Sequence, residues 1–157
     1  MQTKSLGENH YFLLFTDDYS HMSWICFLEN KSETCGQFQK FKAMVENQSG
    51  CHIKYFVQIE ENNSCPENSI YFAKKMAVAE QKNQTIMEMT RSMLQERRLT
   101  KQFWVVVVAT SIYLLNLSST RVVMNKTPHE TFVKENQCKS FTSLWVILCN
   151  FSSSSKA

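Results

Sequence analysis

The chain has 157 residues, 43% hydrophobic and 20% charged, the balance of one ordinary globular domain rather than of a disordered or fibrous chain. A net charge of +3 and a pI near 8.5 fit a plain solvated surface and a nucleic-acid site equally well, so only the placement of charge discriminates. Six cysteines (Cys26, Cys35, Cys51, Cys65, Cys138, Cys149) form no C-x-x-C pair, and no histidine pair has zinc-finger spacing. They read as reduced thiols of an intracellular protein, not as a zinc site or a disulfide framework. Met1 to Leu6 lacks the apolar core of a signal peptide, and the apolar run Phe103 to Leu115 is too short to cross a bilayer.

His10 to Thr16 and Met22 to Leu28 are apolar, aromatic-rich runs joined by Asp17-Asp18-Tyr19-Ser20, the pattern of a β-hairpin around a polar turn. From Ser32 to Gln48 the period lengthens. Phe38, Phe41 and Val45 follow helical intervals behind Ser32 as N-cap, and Gly50 is placed to end the helix. Ile53 to Ile59 predicts another strand, and the Asn-rich stretch Glu60 to Ile70 a loop. Ala73 to Arg98 is the longest helical stretch, with Val78, Ile86, Met89 and Met93 expected on one apolar face. A second helix is expected over Thr100 to Asn116, against the local β preference of four consecutive valines. Thr127-Pro128-His129-Glu130 spells a capping box with proline at the first helical position, which predicts a short helix to about Val133. Leu144 to Cys149 is a final strand candidate, and Ser152 to Ser155 a low-complexity tail.

Taken in order, these segments resemble the integrase catalytic core of copia-type LTR retrotransposon Pol polyproteins. Tyr11 to Ser20 with Met22-Ser23-Trp24 resembles that family's Y-F-L-L-F-I-D-D-Y-S-R-x-x-W hairpin. Val78 to Met89 is similar to its G-V-A-E-R-K-N-R-T-I-x-E-M helix. Phe103-Trp104, Tyr113-Leu114-Leu115-Asn116 and Lys126 to Glu130 resemble the later landmarks F-W, Y-L-L-N and K-T-P-Y-E, and Leu144 to Cys149 sits where L-R-V-F-G-C is expected. The match covers residues 1–151 as a truncated integrase core-like domain, leaving 152–157 as a Ser-rich tail.

The resemblance implies a ribonuclease-H-like fold, a mixed five-stranded sheet flanked by helices, in which two Asp and one Glu hold two divalent metals, usually magnesium. Hard cations prefer oxygen ligands, and two of them clamp the attacking and leaving oxygens of an in-line phosphoryl displacement. The family's first catalytic Asp lies in an H-x-D-x-x-G-P segment on the first strand, and Met1 to Leu6 resembles the residues just downstream. The second belongs to S-D-N-G-G-E-F, after the strand that Ile53 to Val57 resembles. Here the chain passes from Val57 to Glu60-Glu61-Asn62, as an internal deletion would produce. Glu80 alone matches the triad. Asp17 and Asp18 match the family's hairpin turn, where Asp is at home through local hydrogen bonds. Glu60 or Glu61 offers a carboxylate, but nothing in the sequence places either beside Glu80. A lone Glu opening a helix is also an ordinary solvated residue favoured by the helix dipole.

The expected fold is therefore α/β: a degenerate ribonuclease-H-like integrase core lacking the first strand and the region after the fourth, followed by helices. The first strand is central in the family's sheet, so its loss should leave the Tyr11–Leu28 hairpin unpaired on one edge. With the Val105–Val108 run, that predicts a marginal, aggregation-prone fold. The expected function is a remnant of DNA integration by polynucleotidyl transfer, inactive, with no cofactor where the family uses two Mg2+ or Mn2+. Non-specific DNA affinity would rest on Lys74, Lys75, Lys82, Asn83 and Arg91, with Arg97, Arg98 and Lys101 beside them and Glu80, Glu88 and Glu96 diluting the patch. The alternatives are a helical module over Ala73 to Val133 that pairs with itself or an intact integrase through an apolar face around Val105, or a translated relic without selected function. Neither a membrane nor a small-molecule substrate is expected as partner. The compartment, nucleus or cytoplasm, is not fixed by any targeting run.

Overall fold

The structure, a computed structural model, describes residues 4–49, 56–59, 69–119, 121, 124–135 and 144–150. Four strands, β1 (Tyr11–Asp17), β2 (Ser23–Leu28), β3 (Phe56–Ile59) and β4 (Leu144–Asn150), are joined with four helices, α1 (Thr34–Ser49), α2 (Ser69–Glu96), α3 (Trp104–Leu117) and α4 (Pro128–Glu135). The strands form one mixed sheet in the order β2-β1-β4-β3. β1 pairs antiparallel with β2 and with β4, while β3 runs parallel to β4.

β1 explains its own sequence. A strand with one solvated face alternates apolar and polar residues, whereas Phe12, Leu13, Leu14 and Phe15 are all apolar because both faces are covered. Phe12 and Leu14 point into a core built with Ile86 and Leu94 of α2 and Trp104, Val107, Val108 and Ile112 of α3. Leu13 and Phe15 point the other way, against Phe41 and Val45 of α1. Phe15 stacks on Phe41 at 4.0 Å between ring centroids, and the Trp104 indole meets Phe12 and Phe27 at 6.1 and 5.7 Å. Those edge and stacked geometries suit the ring quadrupoles.

The hairpin does not have the unpaired edge that the sequence predicted. β4 lies along β1 from Leu144 opposite Asp17 to Asn150 opposite Tyr11, so all seven residues of β1 have a partner on that side. The physical reason is that Trp145 to Cys149 is itself an apolar run able to enter the middle of a sheet, where both faces are buried. Nor is the valine run exposed as a block. Val107 and Val108 are buried, Val105 is partly buried, and Val106 faces out. Helix wins over local β preference in this segment because α3 packs an apolar face on α2 and the sheet.

Other boundaries shift for local reasons. The first helix begins with a 3-10 turn (Lys31–Glu33), and its N-cap is Asn30, whose N–H donates to the Glu33 carboxylate at 3.1 Å, rather than Ser32. The buried stripe of α2 runs through Ala79, Ile86, Met87, Thr90 and Leu94, so Val78 is exposed rather than inward. The capping box is present as expected: the Thr127 N–H donates to Glu130 at 3.0 Å, and the Glu130 N–H to the Thr127 hydroxyl at 3.1 Å. Gly50, most of the Glu60 to Ile70 stretch, Cys51, Cys65, Cys138 and the serine tail lie outside the described residues. Cys26, Cys35 and Cys149 are not joined in disulfides. Among the described residues no helix is long and apolar enough to cross a membrane.

Candidate functional site

Polar side chains gather where the hairpin turn meets α2. Asp17 ends β1, and its carboxylate accepts the Ser20 N–H at 2.8 Å and the Ser20 hydroxyl at 2.7 Å, closing the turn as an Asx motif. His21 follows with a left-handed backbone, φ 58°, unusual for a residue with a side chain. From α2, Lys82 reaches across and donates its ammonium to the His21 carbonyl. Thr16, Asp17, Asp18, His21, Val78, Ala79 and Lys82 line a small cleft at this junction.

Burial governs the electrostatics here. It lowers the Lys82 pKa to about 8, a shift that the nearby Asp17 carboxylate only partly opposes. Burial also raises Asp17, against the Ser20 hydrogen bonds that favour its ionised form. His21 is held below the usual histidine range, by burial first and the Lys82 charge second. The cluster is a clasp: Lys82 fastens α2 to the turn by holding a carbonyl, and Asp17 is committed to Ser20.

Among the described residues, the predicted site residues fall on different sides of α2. Glu80 is exposed and two residues from Lys82, so about 200° around the helix from it at ~100° per residue. Lys82 and Asn83 are half-buried along the inward side of α2, and the Asn83 Oδ1 is buried without a hydrogen-bond partner among the described residues. Arg91 is exposed on the outer side with Glu80 and Glu88. Lys74 and Lys75 lie on α2, and their side chains are outside what is described. Among the described residues no three His, Cys, Asp or Glu side chains come together as a metal site. No catalytic step is assigned to these residues.

Comparison with curated proteins decides the ancestry. The chain is 33% identical to a retrovirus-related Pol polyprotein from transposon TNT 1-94 of Nicotiana tabacum, over 165 aligned positions, 90% of this chain and 12% of that protein. It is 23% identical to Pol polyproteins from transposons RE2 and RE1 of Arabidopsis thaliana, over 80% and 76% of the chain. Its homologues are copia-type retrotransposon Pol polyproteins. The chain spans about a tenth of the length of these relatives. No protein-family model matches it. No solved structure matches it either.

Several segments that carried the resemblance to retrotransposon Pol sequences turn out to be fasteners. Asp17 and Ser20 close the turn. The Asn of Tyr113-Leu114-Leu115-Asn116 is buried, and its amide pairs with the backbone of Ser23: Oδ1 accepts the N–H at 3.0 Å and Nδ2 donates to the carbonyl at 2.8 Å. That side chain imitates a neighbouring strand at the start of β2, tying α3 to the sheet across 93 residues of sequence. Sequence reading passed over Asn116 and His21 as structural residues. An amide ending an apolar helix is the only local signal for the first, and none exists for a carbonyl aimed at a distant lysine.

Proposed function

We propose that the chain is a catalytically inactive derivative of a retrotransposon integrase core. The observation that carries this reading is the identity of the strand in the middle of the sheet. In the family fold that the sequence resembles, the central strand beside the hairpin is the first one, and it bears a catalytic Asp. Here β4 lies beside the hairpin, between β1 and β3, and its sequence, Leu-Trp-Val-Ile-Leu-Cys-Asn, has no carboxylate. The antiparallel β1 and parallel β3 around it support a ribonuclease-H-like arrangement completed by a substitute strand. Glu80 remains at its family position and is exposed, and no group of three or more metal-binding side chains forms among the described residues.

Residual nucleic-acid binding centres on the far end of the expected basic patch, together with Lys4. Lys82 is occupied with His21, whereas Lys4, Arg97, Arg98 and Lys101 are exposed around the corner where α2 turns into α3 and make no ion pair among the described residues. The Leu6 N–H donates to the Gln102 carbonyl at 3.3 Å, bringing the N-terminal segment to this corner. Four cations on phosphates would give weak, sequence-independent binding that loses about a hundredfold in affinity between roughly 50 and 200 mM salt.

The test is magnesium- and manganese-dependent strand transfer on labelled DNA, with a Glu80→Gln chain alongside and retention on the same DNA measured at both salt levels. Neither protein should join strands, and retention should fall steeply with salt. Joining that disappears only in Glu80→Gln would overturn the inactive reading. Salt-independent retention would remove the phosphate contact from it.

A further inference from the structure

The turn from α2 into α3 carries a hydroxyl flanked by cations. Two of the chain's four arginines stand side by side at Arg97 and Arg98, and Thr100 follows two residues later. Arg97, Arg98, Leu99, Thr100 and Lys101 are all exposed, so the hydroxyl and its flanking charges face solvent together. Thr100 is the N-cap of the 3-10 turn Lys101–Phe103 that leads into α3, yet its side chain makes no capping hydrogen bond. Thr85, Thr90, Thr110 and Thr131, by contrast, each commit the hydroxyl to the carbonyl four residues back.

The backbone suits capture in an extended groove. Thr100 is already extended, at φ −67° and ψ 147°. Just before it, the Leu99 N–H donates to the Leu94 carbonyl at 3.0 Å and the Arg98 N–H to the Gln95 carbonyl at 3.2 Å, with Arg98 at φ 52°. A residue with a side chain is strained in that left-handed region, so straightening the turn relieves strain and breaks only local hydrogen bonds. Guanidinium groups two and three residues ahead of a hydroxyl can pair bidentately with carboxylates, which is how an acidic kinase groove selects its substrate. Glu96 is the one acid between positions 95 and 105, so little opposes that attraction. We infer that Thr100 is a phosphoacceptor for an arginine-directed serine/threonine kinase.

In the transfer, the Thr100 Oγ1 forms a bond to the γ-phosphorus of a nucleoside triphosphate as the bond from that phosphorus to its bridging oxygen breaks. The diphosphate leaves with that electron pair, and the hydroxyl proton passes to a carboxylate of the kinase. The product places about two negative charges at the start of the helical run from Lys101 to Leu117, where N–H groups without intrahelical partners favour an anion. It also offsets about two of the four cations at Lys4, Arg97, Arg98 and Lys101. This consequence rests on the nucleic-acid reading above and makes the modification a release switch. The loss of affinity between roughly 50 and 200 mM salt should shrink from about a hundredfold to about tenfold.

The test is incubation of the full chain with ATP, magnesium and cyclic-AMP-dependent protein kinase, which selects paired arginines, followed by mapping of the phosphate by mass spectrometry. Thr100→Ala and a double variant, Arg97→Gln with Arg98→Gln, run alongside, with circular dichroism to confirm that each keeps its helices. Phosphate should appear at Thr100 and be absent there in Thr100→Ala. Without the two arginines kcat/KM should fall by about tenfold or more. An unmodified Thr100 in the unaltered chain, or an equal kcat/KM without the arginines, would overturn the assignment. Retention of the phosphorylated chain on DNA should show the shallower salt dependence, and an unchanged dependence would overturn the switch. Salt-independent retention of the unphosphorylated chain would instead remove the nucleic-acid reading, while the mapping alone decides the phosphoacceptor.

Discussion

β1 and α3 are both strongly apolar, and the fold treats them differently. Phe12 to Phe15 disappear completely because a strand has two faces and the helices of this protein cover both. α3 is equally hydrophobic in sequence, yet only the side turned to α2 and the sheet is covered, leaving Val106 out while Val107 and Val108 are in. A continuous apolar run thus signals full burial in a strand and surplus surface in a short helix. The first is a matter of folding, and the second invites a partner.

The largest expected effect comes from breaking the sheet at its centre. Val146→Pro removes a backbone donor from a strand paired on both sides, along with a buried side chain, and the cooperative thermal unfolding transition should disappear. A variant that still melts sharply would show that β4 is dispensable. Next in size is the contrast within α3. Trp104→Ala should cost about 3–5 kcal/mol in urea unfolding, whereas Val106→Ala should stay within about 0.5 kcal/mol. Similar costs at the two positions would contradict the division into covered and uncovered sides.

The smallest effect concerns the clasp. Between pH 8 and 10.5 the unfolded chain holds the Lys82 proton more tightly than the folded one, so folding stability should rise with pH through that window. Lys82→Met keeps most of the side-chain volume and removes the buried charge, and it should flatten the slope measured by urea unfolding at pH 7.5, 9 and 10. An unchanged slope would assign the dependence to other groups.

Much of the secondary structure was legible because its causes are local. The hairpin followed from two apolar runs around Asp17 to Ser20, and α4 from the reciprocal bonds of Thr127 and Glu130. The inward side of α2 was less so. Hydrophobicity named Val78, but the surface that α2 packs against selected Ala79 and Thr90, small enough for close approach. Thr90 is tolerated at full burial because its hydroxyl bonds the Ile86 carbonyl at 2.8 Å. The candidate site was the least legible part. Lys82 is one of the cations on which DNA affinity was expected to rest, yet its ammonium holds a carbonyl 61 residues away in sequence.

By itself the sequence determined the ancestry, the hairpin and the helices, since each is written in contiguous residues or in their order. Tertiary structure alone decided that the last strand enters the middle of the sheet, that Lys82 turns inward, and that one side of α3 stays bare. Those outcomes depend on which surfaces meet. A strand takes whichever edge offers unpaired N–H and C=O groups, and a helix shows to solvent whatever its neighbours leave uncovered.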